Sequence, residues 1–89
     1  MSSGEKRSIQ ERIEKGKFYF INGKYEYAIK EFEEALKLSP EDPELLYSLG
    51  VALEGTNSFE AAREKYLKVL ECSPGHKMAR EHLDRLLAK

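Results

Sequence analysis

Three side chains in the second half of the chain, Cys72, His76 and His82, are of the types that ligate zinc or act as nucleophiles and bases. Two ligands share one helical face at a spacing of four residues, whereas His76 and His82 are six apart. Cys72 and His76 are four apart, but Pro74 and Gly75 interrupt any helix between them. We therefore expect no metal site, and we expect Cys72 to be a small buried apolar residue.

Binding of phosphate or nucleic acid is also disfavoured. Asn22, Gly23 and Lys24 lack the second glycine and the serine or threonine of a phosphate-binding loop. Fifteen basic and sixteen acidic residues give a net charge of -1, and the two signs are interspersed rather than separated into a basic stripe. We expect no cofactor and no nucleic-acid partner.

The elements that carry these residues repeat at an offset of 34 positions. Small and large apolar residues recur in phase in both copies. The matched pairs include Gly16 with Gly50, Tyr25 with Phe59, Ala28 with Ala62, Phe32 with Tyr66, Leu36 with Leu70 and Pro40 with Pro74. A fixed period of this length is typical of stacked pairs of antiparallel helices.

Residues that break helices mark the first pair. A helix is expected to start near residues 5–8 and to end at Asn22 and Gly23, because glycine accepts the left-handed geometry that closes a helix. The second helix starts from Gly23. It ends before Pro40, since proline disfavours helical geometry in the residue before it.

The second pair has its own boundary signals. Asp42 is predicted to cap the third helix, which should end at Gly55. Asn57 is predicted to cap the fourth helix, with Glu60 reaching back to it in a capping box. Pro74 ends that helix. Residues 77–89 then carry an amphipathic stripe that predicts a fifth helix covering the last pair; the stripe consists of Ala79, Leu83, Leu86 and Leu87.

Close packing within each pair requires small residues. We expect Gly16 to face Ala28, and Gly50 to face Ala62, where the two helices cross. Phe32 is expected to be buried one turn further on, and Tyr66 takes the same place in the second copy.

Charged residues divide into two groups. The acidic run of Glu31, Glu33 and Glu34 is interpreted as a solvated face. Arg12 and Lys15 stand in the first helix where the second copy has leucines, which predicts that no helix pair precedes this one.

The order of these residues resembles the tetratricopeptide repeat. In the first copy the resemblance rests on Gly16, Tyr19, Gly23, Tyr25, Ala28, Phe32, Ala35, Leu36, Leu38 and Pro40. In the second copy it rests on Leu46, Leu49, Gly50, Leu53, Phe59, Ala62, Tyr66 and Pro74. The resemblance covers about residues 9–74 and implies an all-α, TPR-like α-solenoid of two helix-turn-helix repeats plus a C-terminal capping helix.

Domain organisation follows from this reading. Residues 1–8 are expected to be a tail or a frayed extension of the first helix, and residues 9–89 a single domain. Within the domain the expected units are repeat 1 at about 9–42, repeat 2 at about 43–76 and the capping helix at about 77–89.

Cellular location is inferred from what the sequence lacks. The chain contains no apolar run long enough to span a bilayer, and its first ten residues lack the apolar middle of a signal peptide. Its single cysteine cannot form an internal disulfide, which fits a reducing compartment. We therefore predict a cytoplasmic protein without membrane insertion.

The resemblance also implies a concave groove in which partner peptides lie. By correspondence with the family, the groove residues would be Ile13, Lys17, Phe20, Tyr47, Ser48, Val51, Glu54, Met78, His82 and Arg85. Members that bind an acidic C-terminal peptide clamp it with lysine, asparagine and arginine. Lys17 is the one clear cation at the corresponding positions, which argues against a carboxylate clamp.

These features favour a protein-interaction scaffold or adaptor that binds a peptide or an amphipathic helix of another protein. The alternative is a self-association module, in which a second copy fills the same groove as a homodimer; residues 1–8 folding over the groove is a further possibility. Two helix pairs with a cap enclose little volume, so we do not expect an enzyme.

Overall fold

Five α-helices follow one another along residues 3–88, the part of the chain that the computed structural model describes, and no strand occurs there. They are α1 (Ser3–Ile21), α2 (Tyr25–Leu38), α3 (Pro43–Gly55), α4 (Phe59–Cys72) and α5 (Lys77–Leu87). Each helix packs against the next one in the chain. The all-α class and the two helix pairs with a closing helix are confirmed.

Helix α1 begins earlier than predicted. It starts at Ser3, whereas the sequence pattern placed its start near residues 5–8. Glutamate, lysine and arginine at positions 5–7 have good helix propensity and extend the helix beyond its apolar stripe, but propensity does not explain the two further residues, Ser3 and Gly4. Met1 and Ser2, which belong to the expected tail, and Lys89, at the end of the expected capping helix, lie outside the described residues.

The first helix of each pair ends in the same left-handed turn. Gly23 has φ of +76°, and Asn57, which lies 34 positions later, has φ of +61°. In both turns the following N–H donates to a carbonyl five residues earlier, at 2.9 Å. The predicted stop at Gly23 is therefore confirmed.

The predicted capping box at Asn57 is wrong. Asn57 takes the place of Gly23 in closing the preceding helix, so its side chain is not positioned to start the next one. Helix α4 begins at Phe59 after Ser58, and Ser58 makes no side-chain capping hydrogen bond.

The predicted cap at Asp42 is confirmed. Its carboxylate accepts hydrogen bonds from the backbone N–H of Glu44 at 3.0 Å and of Leu45 at 3.3 Å. Pro43 occupies the first helical position, where its missing N–H costs nothing. Helix α3 ends at Gly55, as predicted.

Buried side chains form two clusters, one between the two helix pairs and one between the second pair and α5. The first contains Ala28, Phe32, Ala35, Leu45, Leu49 and Ala52. The second contains Leu46, Ala62, Tyr66, Val69, Ala79 and Leu83. Leu36 and Leu53 pack against both clusters, which joins them into a continuous core.

In each pair the side-chain atoms nearest to the glycine of the first helix belong to an aromatic ring of the second helix. A Cβ atom added at Gly16 would lie 2.5 Å from Cε1 of Phe32. The same atom at Gly50 would lie 2.6 Å from Cε1 of Tyr66. The glycines therefore make room for the rings one turn beyond the predicted contacts at Ala28 and Ala62.

Two further predictions about single side chains are wrong. Glu31 was assigned to a solvated face, but its side chain is 13% exposed and pairs with Arg12 at 3.0 Å, because α1 packs against α2 at this point. Cys72 was expected to be buried, but it is exposed. It is the last residue of α4, and Leu38 at the end of α2 is likewise 40% exposed, so this position lies beyond the core.

Candidate functional site

An apolar cleft of about 340 Å³ lies between α1 and α3, the first helices of the two pairs. Its lining consists of Lys17, Phe20, Ile21, Phe32, Tyr47, Ser48 and Val51. Five of these residues, all except Ile21 and Phe32, were predicted as groove residues. Ile21 was not predicted, although it directly follows Phe20 at the end of α1; its side chain is 81% exposed.

Helical spacing and one glycine build this cleft. Tyr47 and Val51 lie one turn apart on α3, and Lys17 and Phe20 lie one turn apart on α1, so each pair presents one face. Phe32 of α2 contributes the remaining wall. Its ring can approach α1 because Gly16 has no side chain.

The other end of the predicted groove is a closed network of polar side chains around Glu54. The Nδ1 atom of His82 lies 2.7 Å from Oε1 of Glu54, and Nη2 of Arg85 lies 3.3 Å from Oε2. The hydroxyl of Tyr66 donates to the same carboxylate. The hydroxyl of Tyr47 lies 3.2 Å from Nε2 of His82. Helices α3, α4 and α5 are thereby joined through one carboxylate.

The network holds Glu54 ionised. Burial alone would raise its pKa, but hydrogen bonds from Tyr66, His82 and Arg85 outweigh burial and lower the pKa of Glu54 below its ordinary value. Burial, followed by the hydrogen bond to Glu54, raises the pKa of Tyr66. Burial and the charge of Glu54 raise the pKa of Tyr47. The two phenols therefore stay protonated and act as hydrogen-bonding groups at neutral pH.

The apolar cleft and the polar network occupy equivalent positions in two successive repeats. An offset of 34 positions relates their residues: Phe20 to Glu54, Phe32 to Tyr66, Ser48 to His82 and Val51 to Arg85. In the first repeat, apolar side chains leave a cleft between the helices. In the second repeat, longer polar side chains contact one another and fill the equivalent space. The simultaneous change of two phenylalanines to glutamate and tyrosine was the signal in the sequence that could have revealed this network.

Two predicted groove residues belong to neither group. Ile13 packs against the first core cluster and is partly buried. Met78 lies on α5 and is 48% exposed. The ten predicted residues therefore divide into a cleft, a closed network and these two.

His76 has a structural role that the sequence analysis did not identify. Its Nδ1 atom accepts a hydrogen bond from the N–H of Ala79 at 3.1 Å and so caps α5. Its Nε2 atom lies 2.9 Å from Glu44. Within residues 3–88, no three side chains of histidine, cysteine, aspartate or glutamate are grouped so that they could hold a metal ion.

Lys17 is the charged group at the cleft. It is exposed, and it forms no ion pair with any described side chain. Arg85, by contrast, is engaged by Glu54. Helices in the described range are too short or too polar to cross a membrane.

Comparison with known protein families agrees with this geometry. A family model described as TPR repeat matches residues 16–57, and a second, described as Tetratricopeptide repeat, matches residues 43–76. Together the two matches cover residues 16–76, which include the last part of α1 and all of α2, α3 and α4. Repeats of this kind generally mediate interactions between proteins and are typically not catalytic. The chain therefore belongs to the tetratricopeptide repeat family.

Proposed function

We propose that this protein is an adaptor that binds an apolar segment of a partner protein, with the cleft between α1 and α3 as the anchoring site. The observation that carries the proposal is that the cleft is apolar and has an 81% exposed isoleucine at its edge, Ile21. Exposed apolar surface that is shaped as a cleft is characteristic of sites that bind other proteins.

The repeat comparison supports the choice of this end of the groove. In the second repeat the equivalent space is occupied by His82 and Arg85, which are bound to Glu54. A ligand entering there would have to break a satisfied network of hydrogen bonds. Entry into the first cleft breaks no such network, because most of the side chains that line it are apolar.

Size and charge define the partner segment. Burying one leucine-sized side chain contributes about 1.5–3 kcal/mol, which corresponds to roughly a 10- to 150-fold gain in affinity. Lys17 beside the cleft favours an acidic residue next to the apolar anchor. An amphipathic helix with an apolar stripe and a flanking aspartate or glutamate meets both requirements.

The test uses helical peptides that are selected from a displayed peptide library for binding to the wild-type chain. Ile21→Glu should abolish binding of the selected peptides, as measured by fluorescence anisotropy, because it places a charge at the edge of the cleft. Leu67→Glu is the matched control, since Leu67 is 47% exposed on α4 and does not line the cleft. Retained binding by the Ile21 variant would refute the site.

Self-association through the same cleft is the second candidate function. The exposed side chain of Ile21 adjoins the cleft, so two copies related by a two-fold axis could each insert it into the other. Light scattering would then give a dimer mass that does not increase further with concentration. In that case Ile21→Glu should yield monomers while Leu67→Glu leaves the dimer intact.

A further inference from the structure

The two ends of the helical array carry charged residues on faces that are buried elsewhere in the same fold. On α1, Glu11, Lys15 and Phe18 are exposed. The positions equivalent to them in the second repeat are Leu45, Leu49 and Ala52, which are 2%, 1% and 0% exposed. This face of α1 therefore has the orientation of a surface on which a neighbouring helix packs.

The same comparison applies to the other end. On α5, Arg80, Asp84 and Leu87 are exposed. They are equivalent to Leu46, Gly50 and Leu53 of α3, which face α4 and are buried or partly buried. Leu87 is 58% exposed, although the sequence pattern placed it in an apolar stripe.

The two faces are complementary in sign and in spacing. Each has its three residues at intervals of four and then three positions, so each forms one stripe along its helix. When the helices lie parallel, Glu11 meets Arg80, Lys15 meets Asp84, and Phe18 meets Leu87. In the antiparallel arrangement Lys15 would still meet Asp84, but Glu11 would face Leu87. Complementarity therefore favours the parallel arrangement.

These side chains are available for such contacts. Glu11, Arg80 and Asp84 form no ion pair with any described side chain, and Lys15 has only a long contact of 3.9 Å with Glu31. Beside this stripe, Glu14, Lys15, Phe18 and Tyr19 line a shallow depression. It adjoins Phe18, where Leu87 of a second copy would arrive.

We infer that this chain associates head to tail with copies of itself, α5 of one copy packing in parallel against α1 of the next. The contact joins two different surfaces, so every open oligomer keeps one free α1 face, the head, and one free α5 face, the tail, to which further copies can add. It also leaves the cleft between α1 and α3 uncovered. Ion pairs contribute to it, so it should weaken at high salt.

The first experiment follows mass against concentration by sedimentation equilibrium. For the wild-type chain the average mass should rise past that of a dimer at millimolar concentration and low salt, and it should fall when salt is added. A chain that stays monomeric under these conditions, or whose mass stops rising at a dimer, would overturn the inference.

The second experiment blocks one end at a time. Phe18→Glu removes the head and Leu87→Glu removes the tail, so each variant alone should be monomeric. An equimolar mixture should form a dimer and nothing larger, because one intact head and one intact tail remain. Both residues lie on the surface, and circular dichroism checks that each variant is folded. A mixture that stays monomeric contradicts the assigned surfaces.

A charge exchange tests the register without removing an apolar contact. Glu11→Arg places two arginines opposite each other and should reduce association. Adding Arg80→Glu to the same chain restores opposite charges and should recover it. Failure of the double variant to recover association would show that these two positions do not meet.

Discussion

Removing the hydroxyl of Tyr66 tests whether the network around Glu54 stabilises the fold. Tyr66 is fully buried, and the side chain of Glu54 is only 16% exposed, so water does not easily replace the lost bond. A hydrogen bond to a charged group contributes about 1.5–3 kcal/mol, and we expect Tyr66→Phe to lower the free energy of unfolding by that amount at pH 7. Urea unfolding followed by circular dichroism measures it. The ring should still fit, since Phe32 occupies the equivalent position in the first repeat.

The effect of this substitution should depend on pH in a defined direction. The pKa of Glu54 is lowered in the folded chain, so its stabilising contribution is complete above the ordinary pKa of about 4.3 and is lost as the pH falls through the folded value. As the pH is lowered from 7 through the folded pKa of Glu54, the loss caused by Tyr66→Phe should therefore shrink toward that of a neutral hydrogen bond, about 0.5–1.5 kcal/mol.

A matched control separates this network from the general effect of losing a hydroxyl. Tyr27 is 59% exposed, and Tyr27→Phe should change the free energy of unfolding by less than about 0.5 kcal/mol. If Tyr66→Phe is no more destabilising than Tyr27→Phe, or if its effect does not shrink at any pH down to the acid unfolding of the chain, the account of the network is refuted.

Two other predictions concern the fold. Gly16→Ala should destabilise the chain by up to about 2 kcal/mol, because overpacking against Phe32 costs about 1–3 kcal/mol while the gain in helix propensity returns about 1 kcal/mol. Combining it with Phe32→Leu should cost less than the sum of the single changes in urea unfolding; simple additivity would show that the two residues are not in contact. Asp42→Ala should cost about 0.5–2 kcal/mol in thermal unfolding through loss of the cap of α3, whereas Glu41→Ala, at the preceding exposed position, should have little effect; equal effects would contradict the capping role.

Local signals in the sequence were sufficient to predict most of the helix boundaries. Gly23 and Asp42 act within a few residues of their own positions, so their effects do not depend on the rest of the fold. Asn57 was misassigned because asparagine is favoured both as a cap at the start of a helix and as a left-handed residue at the end of one. Its alignment with Gly23 in the repeat would have distinguished the two roles.

The candidate site could be predicted in part. The 34-residue period identified the helix faces that carry the cleft, since equivalent positions point the same way in each repeat. It did not show that Phe20 would line a cleft while Glu54, its equivalent, would be enclosed. That difference depends on which side chains of other helices reach the same point.

By itself, the sequence determined the number of helices, their pairing and the faces that they bury, because these follow from spacing along a single chain. Only the tertiary structure decided that Glu54 and His82, 28 positions apart, would lie 2.7 Å from each other, with the hydroxyl of Tyr66 donating to the same carboxylate. These contacts close the second half of the groove. Such a contact requires three helices to be placed to within a fraction of an ångström. No local pattern specifies that placement, since it results from the packing of all the side chains between the helices.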